Sequence, residues 1–284
     1  MPFLEIAKVT KYFPGSNGSG DVCVFKDVHF HIDRGEFVTM VGHSGCGKTT
    51  LLNVIAGFES VSEGGIVLDG KEVTDPGLDR MVVFQNFSLM PWMTAQENIH
   101  IAVRAAHPDW TRQRIGEYVQ QYIDMVGLTG SEHKRPAALS GGMRQRVGLA
   151  RAFAVQPKVL LLDEPFAQID ALTRGAIQEE LVRMWTATKS TVFMVTHDVD
   201  EAILLSDKIA LMTNGPEAKL AEIIEVPIPR PRSRETLIDS PEYSRIRRHI
   251  LSFLTGGSRM GREHSIPTMT QSADGDHSGL EADA

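Results

Sequence analysis

A chain of 284 residues, 42% hydrophobic and 23% charged, is long enough to bury a core without disulfide or metal staples. Its formal net charge of −7 argues against a dominant nucleic-acid partner, which would call for a basic surface. Cys23 and Cys46 are too few and too far apart in sequence for a disulfide framework, and no apolar run approaches the roughly 18 residues that span a bilayer, so a cytosolic chain is expected and any membrane role is borrowed from a partner.

The opening residues, Met1 to Glu5, lack a basic stretch followed by an apolar core, so no secretory leader is expected. Strand-like segments at 3–9, 22–32 and 65–69, separated by Gly, Ser and Asn turns, predict an antiparallel flank. Up to about residue 240 short β-branched runs alternate with helical patterns, which predicts an α/β fold: a mainly parallel sheet covered by helices, with core strands at 37–41, 80–84, 159–163, 191–196 and 208–212. Residues 86–157 differ in character. Thr94 and Glu97 have capping-box spacing, and Ile115, Val119, Tyr122, Ile123 and Val126 form an apolar stripe that Gly127 ends, so a helical subdomain is expected inside one domain spanning 1–255. Residues 256–284 are rich in Gly, Ser, Asp and His with little apolar periodicity and read as a disordered tail.

The chemistry starts at Gly42-His43-Ser44-Gly45-Cys46-Gly47-Lys48-Thr49, which lies between the apolar run at 37–41 and a helix-like one that includes Thr50, Leu51 and Leu52. Glycines let backbone N–H groups turn inward around a triphosphate, Lys48 neutralises the outer phosphates, and the Thr49 hydroxyl suits Mg²⁺. Val159 to Leu162 is a fully apolar run that ends in two carboxylates, Asp163 and Glu164. Asp163 is placed for the Mg²⁺ shell, and Glu164 for orienting the water that attacks the γ-phosphate. Two further apolar runs end in Gln85, which would reach the metal or the attacking water, and in His197, which would contact the γ-phosphate. Parallel strands share one C-terminal edge, so Gly42, Gln85, Asp163 and His197 are expected to converge there.

Ser140-Gly141-Gly142, opening a helix that Pro157 stops, forms a second anion-binding turn. Both turns could serve one triphosphate only if the second came from another subunit. That predicts a head-to-tail dimer with nucleotides between the chains.

With these motifs the chain resembles the ATP-binding subunits of ABC transporters over about residues 3–254: a Walker A loop at 42–49, Gln85 of the Q-loop, the signature at 139–143, a Walker B strand at 159–163, Glu164, the D-loop Asp170 and the switch His197. The resemblance implies a P-loop NTPase core and hydrolysis of ATP with Mg²⁺. Nucleotide contacts would fall to Phe13 (or its neighbour Tyr12) stacking on adenine, to residues 42–49 with Thr50, and to Ser140, Gly141, Gly142 and Asp170. Catalysis would fall to Glu164, His197 and Gln85, and metal binding to Thr49, Gln85 and Asp163. It also implies an identical or related ATPase chain as dimer partner, membrane permease subunits, a periplasmic or lipid-tethered solute-binding protein reached through them, and a peripheral place on the cytoplasmic face of the inner membrane. The stretches 43–46, 139–146, 170–174, 195–201, 212–216 and 229–232 are similar to nitrate, cyanate and bicarbonate importers and, less closely, to sulfonate and taurine importers. Nitrate is the first expectation.

The chain departs from the family at Met143, where Gln is usual, and at Ala167-Gln168-Ile169-Asp170, which puts a bulky amide at the dimer seam. Residues 86–92, rich in large apolar side chains, match the part of the family that receives a permease helix. His29 and His31 share a strand face without a completing ligand, so no metal site is expected. Arg230, Arg232, Arg234, Arg245, Arg247 and Arg248 read as a solvated helix face.

Overall fold

The computed structural model describes residues 2–15 and 20–260, with side chains as far as Gly256. Five apolar runs form the strands expected of them: β3 (Phe37–Val41), β6 (Arg80–Val83), β7 (Val159–Asp163), β8 (Thr191–Thr196) and β9 (Lys208–Met212). They lie in a six-stranded sheet of order β10-β9-β3-β8-β7-β6, parallel except at the β10 edge. Every residue of β3, β7 and β8 is buried, because helices or a second sheet cover both faces.

Strand alternation divides these side chains between two cores. Leu160, Leu162, Val192 and Met194 face a cluster built with α2 (Ala95–Ala106), α3 (Arg112–Met125), α4 (Gly141–Ala154) and α5 (Ala171–Thr188). Leu161, Phe193 and Val195 face α1 (Lys48–Ala56) and the antiparallel sheet. Burying one such Leu or Phe stabilises the fold by about 1.5–3 kcal/mol, so both faces of the central strands contribute.

The antiparallel flank is a sheet of order β2-β1-β4-β5, with β1 at Leu4–Phe13, β2 at Val22–Ile32, β4 at Glu63–Leu68 and β5 at Lys71–Glu72. β1 runs four residues beyond the expected 3–9, which places Phe13 at its tip. Between β6 and β7 the chain is helical, as the stripe and caps foretold. Thr94 and Glu97 form a reciprocal capping box on α2, and Gly127, in the left-handed region, follows α3.

Other features differ from expectation. β10 (Leu220–Glu225) had no counterpart in the sequence reading. Its Leu-Ala-Glu-Ile-Ile-Glu run fits helix and strand equally, and pairing with β9 decides it. Arg230 and Arg232 are not on a solvated helix face. Arg230 holds Asp207 at 2.8 Å and lies over the Trp185 ring, while Arg232 donates to the carbonyls of Ile203, Ser206, Val226 and Ile228. The segment before α7 (Arg234–Ile238) is therefore latched to the end of the helix Val199–Leu205 and to the chain just after β10. α8 (Pro241–Met260) buries Ile246 and Ile250 and continues past the expected boundary at 255; residues 261–284 of the expected tail lie outside the described residues. His29 and His31 are exposed, and among the described residues no group of three His, Cys, Asp or Glu is placed to hold a metal.

Candidate functional site: a nucleotide edge and a second turn

β3, β8, β7 and β6 are consecutive parallel neighbours, so Gly42, His197, Asp163 with Glu164, and Gln85 follow one another along one sheet edge within about three strand spacings, roughly 14 Å. The convergence expected from four strand ends is what the topology delivers.

The loop after β3 folds around the Lys48 side chain. Its ammonium donates to the carbonyls of Gly42 at 2.8 Å and His43 at 2.9 Å and is buried. Gly47 has φ 97°, and a Cβ there would fall 2.6 Å from Val24 Cγ1, so both backbone sign and space require glycine. α2 to α6 (Val199–Leu205) each start on a Thr, Ser or Asp whose side chain caps the first turn, whereas α1 starts on Gly47 with no side-chain cap. The first-turn N–H groups of α1 thus have no side-chain cap, an arrangement that an anion at the loop would complete.

Thr49 begins the contact with β7: its hydroxyl donates to Asp163 Oδ1 at 2.9 Å. Burial pushes the Asp163 carboxyl up, the Thr49 hydrogen bond opposes this, and the charge of Glu164 adds to the rise. A buried carboxylate beside a hydroxyl, both oxygen donors, is a set that a hard divalent cation fits and that its charge would relieve. Gln85 stands exposed just beyond β6.

Glu164 takes φ 44°, a left-handed backbone that costs a non-glycine residue about 1–3 kcal/mol. Its N–H donates to Val195 of β8 at 3.0 Å, and the turn aims Oε2 to 3.2 Å from His197 Nδ1. Two neighbouring strand ends thereby present a carboxylate and an imidazole as one pair.

Phe13 is half-buried at the end of β1. The Lys11 ammonium, fixed by Glu59 at 3.1 Å and the Ser60 carbonyl at 2.8 Å, lies 4.7 Å from its ring centroid. Sequence reading missed Lys11. Its i, i+2 spacing from Phe13 was the available signal.

The second turn makes different contacts. Ser140 is exposed and caps α4 through Met143 N–H at 3.2 Å. Among the described residues no hydrogen bond joins residues 140–142 to residues 42–49; the turn packs against the loop before α5. A Cβ on Gly141 would sit 3.3 Å from the Gln168 carbonyl, and one on Gly142 only 2.5 Å from Thr173 Cγ2. Gly142→Ala is therefore expected to destabilise the chain by about 1–3 kcal/mol, read as a lower midpoint in denaturant, because the Thr173 side chain or α5 with it must shift away from α4. Asp170 caps α5 through Thr173 N–H at 2.9 Å, and that bond holds its carboxyl below the usual range. The unusual residues before it divide their roles: Gln168 is exposed, while Ile169 is buried in the helical core.

Beside these loops the segment from Gln85 wraps the helical layer. Phe87 is buried, whereas Trp92 is 67% exposed and, with Met93, His100, Ile101 and Arg104, lines an open groove of about 400 Å³. Fully buried Asn98 holds the intervening loop, accepting from Met90 N–H and donating to the carbonyls of Met90, Met93 and Thr94.

Residues 25–167 match the ABC transporter family model. The chain is 47% identical over 252 residues to the nitrate import ATP-binding protein NrtD of Synechococcus elongatus, covering 89% of this chain and 91% of the relative. It is also 47% identical to the bicarbonate transport ATP-binding protein CmpD of a Synechocystis species, covering 89% of each chain. With the nitrate import ATP-binding protein NrtC of Synechococcus elongatus it shares 50% identity over 260 residues, but these span only 39% of that longer relative. Among solved structures, the dimeric post-hydrolysis state of an ATP-binding cassette bound to ADP and Pi superposes with TM-score 0.69 at 28% identity, covering 78% of this chain and 98% of that one. The strand-edge geometry, the family match and these relatives agree, and the chain belongs to the ABC transporter family as one of its ATP-binding cassettes.

Proposed function

We propose that the chain is the ATP-hydrolysing subunit of an importer for a small anion, with nitrate as first choice. The observation that carries the reading is the pairing of strand ends along one edge: Thr49 with Asp163 at 2.9 Å, and Glu164 with His197 at 3.2 Å. Residues 42–49 and Thr50 grip the phosphates, and Phe13 stacks on the base. Thr49, Asp163 and Gln85 are the residues that would hold Mg²⁺, which neutralises charge between the outer phosphates. Glu164 orients the attacking water and polarises it, His197 steadies Glu164 and meets the γ-phosphate, and Gln85 is placed beside both. Ser140, Gly141, Gly142 and Asp170 complete the site of a second chain, identical or related, across a head-to-tail interface.

Residues 1–255 act as one nucleotide-binding domain in which 86–157 is the helical subdomain. No helix among the described residues is long and apolar enough to cross a membrane. In this reading the groove at Trp92 and Ile101 receives a cytoplasmic segment of a separate permease, which places the chain peripherally on the inner face of the membrane. A solute-binding protein outside would deliver the anion. A bicarbonate importer is the second reading, because the nitrate-import and bicarbonate-transport relatives are matched at equal identity; cyanate, taurine or an alkanesulfonate would need only a different permease and binding protein.

The test is co-purification of the chain with its permease, reconstitution into liposomes, and ATPase measurement with the binding protein and either nitrate or bicarbonate. Stimulation by nitrate alone supports the first choice, by bicarbonate alone the second, and by neither refutes both. Within the site, Phe13→Ala is expected to raise KM for ATP about tenfold with kcat nearly unchanged, since stacking contributes about 1–1.5 kcal/mol of binding. Steady-state kinetics over a range of ATP concentrations check it.

A further inference from the structure

Behind the hydrolytic pair lies a buried polar cluster that the reading above does not use. Glu201, on α6, is 4% exposed and Gln178, on α5, is 1% exposed. Glu201 Oε2 accepts from the Thr196 hydroxyl at 3.0 Å, and its Oε1 accepts from Gln178 Nε2 at 3.2 Å. Thr196 Oγ1 in turn accepts from Asp198 N–H at 3.1 Å, so the residues on either side of His197 are tied to one carboxylate. Arg174, in the first turn of α5, completes the cluster. Its Nη2 donates to the Ile169 carbonyl at 3.1 Å, its Nη1 lies 3.7 Å from Asp198, and its buried Nε has no hydrogen-bond partner while lying 3.9 Å from Glu201 Oε1. Arg234 of α7 closes the far side by donating to Gln178 Oε1 at 3.0 Å.

We propose that Glu201 is a positioning residue which, through Thr196 and Asp198 on one side and Arg174 and Ile169 on the other, ties the loop carrying His197 to the loop carrying Asp170. The inference deepens the proposed function and rests on the assignment of Glu164 and His197 as the hydrolytic pair. Without a carboxylate at 201, Arg174 loses its inward partner. The two loops then settle independently, and His197 no longer sits at a fixed distance from Glu164. An error of an ångström in such a pair is costly to rate while leaving nucleotide binding intact.

A cluster kept only for stability would look different. Burial, then the nearby Asp198, pushes the Glu201 carboxyl up to about 7, against the opposing pull of Thr196, Arg174 and His197; Arg234 reaches it through Gln178. A group whose pKa is raised on folding supports the fold while protonated, below its ordinary value near 4.5, and that support is lost as pH rises through about 7. Ionised Glu201 at pH 8 is thus a burden on the fold, and a neutral isostere should relieve it.

The test compares Glu201→Gln with the parent full-length chain in ATPase kinetics and in melting curves at pH 5.5 and pH 8. The expected result is a kcat lowered about tenfold with KM for ATP within about twofold, and a melting temperature at pH 8 equal to or above the parent's. Arg174→Lys, which keeps the charge but loses the fork, is expected to lower kcat similarly, and the double variant to be no slower than the more impaired single one. An unchanged kcat in Glu201→Gln overturns the proposal. So does a kcat that falls together with the melting temperature, which would mark a structural role, and so do single effects that multiply in the double variant. If Glu164→Gln itself hydrolyses normally, the underlying assignment fails instead, which separates the two outcomes.

Discussion

A Glu164→Gln chain is expected to bind ATP as tightly as the parent and to hydrolyse it about 100- to 1,000-fold more slowly, the range for loss of a positioned general base or water-orienting carboxylate. Glutamine keeps the shape and an oxygen that can still accept from His197 Nδ1, which lies 3.2 Å away. It also keeps the backbone bond to Val195, which does not depend on the side chain. Only the negative charge is lost, so the variant separates holding a nucleotide from breaking it. Phosphate release, equilibrium binding of a fluorescent nucleotide and size-exclusion chromatography with ATP measure the three consequences: slow turnover, unchanged affinity, and a dimer that outlives the parent's because reopening waits on hydrolysis. Near-normal phosphate release would show that Glu164 is not the group that activates the water, and the assignment of the β7 terminus would have to be withdrawn.

Glu164 and His197 are brought within 3.2 Å by two neighbouring strands, and those strands were legible because their signal is strong. Val159 to Leu162 and Val192 to Val195 are apolar without interruption, which only a strand covered on both faces explains, and the polar residues after each mark the edge. The glycine loop was equally plain, since the φ of 97° at Gly47 and its closeness to Val24 are demands that few residue types meet. What escaped the sequence reading was what tertiary pairing decides. β10 has no period of its own, and the arginines at 230 and 232 look like surface charge until the carbonyls around them are seen. The cluster at Glu201 escaped for the same reason. Arg174, Gln178, Glu201 and Arg234 sit on three helices, and no spacing along the chain announces that they meet. The amide at Gln168 stays exposed in the single chain, where a second copy would meet it, while the neighbouring Ile169 packs into the helical core.

A larger consequence follows from the separation of the two anion-gripping turns. Within one chain the signature turn packs on Gln168 and Thr173, while Lys48 is held by its own loop. If each turn completes a site on a neighbouring copy, damage to either should abolish hydrolysis, and damage to different turns on different chains should be mutually corrected. Lys48→Ala removes the phosphate charge partner, and Ser140→Arg fills the signature turn. Each variant alone is expected to retain at most about 1% of parental turnover. In a mixed dimer the Ser140→Arg chain supplies an intact Lys48 and the Lys48→Ala chain supplies an intact Ser140, and these fall in the same composite site. The other composite site carries both lesions. An equal mixture, with half of its dimers mixed and one sound site in each, should therefore recover about a quarter of parental activity if the sites fire independently. Phosphate release from the mixture, against each variant alone at the same total concentration, measures it. Ser140 is exposed, so the arginine has room, and losing its cap on Met143 N–H is expected to cost about 1 kcal/mol, which lowers the melting temperature by a few degrees without unfolding α4. A mixture no more active than its components would mean that the chains do not exchange sites in this head-to-tail manner. A Ser140→Arg chain that hydrolyses ATP at the parental rate would mean that the second turn takes no part in the reaction at all.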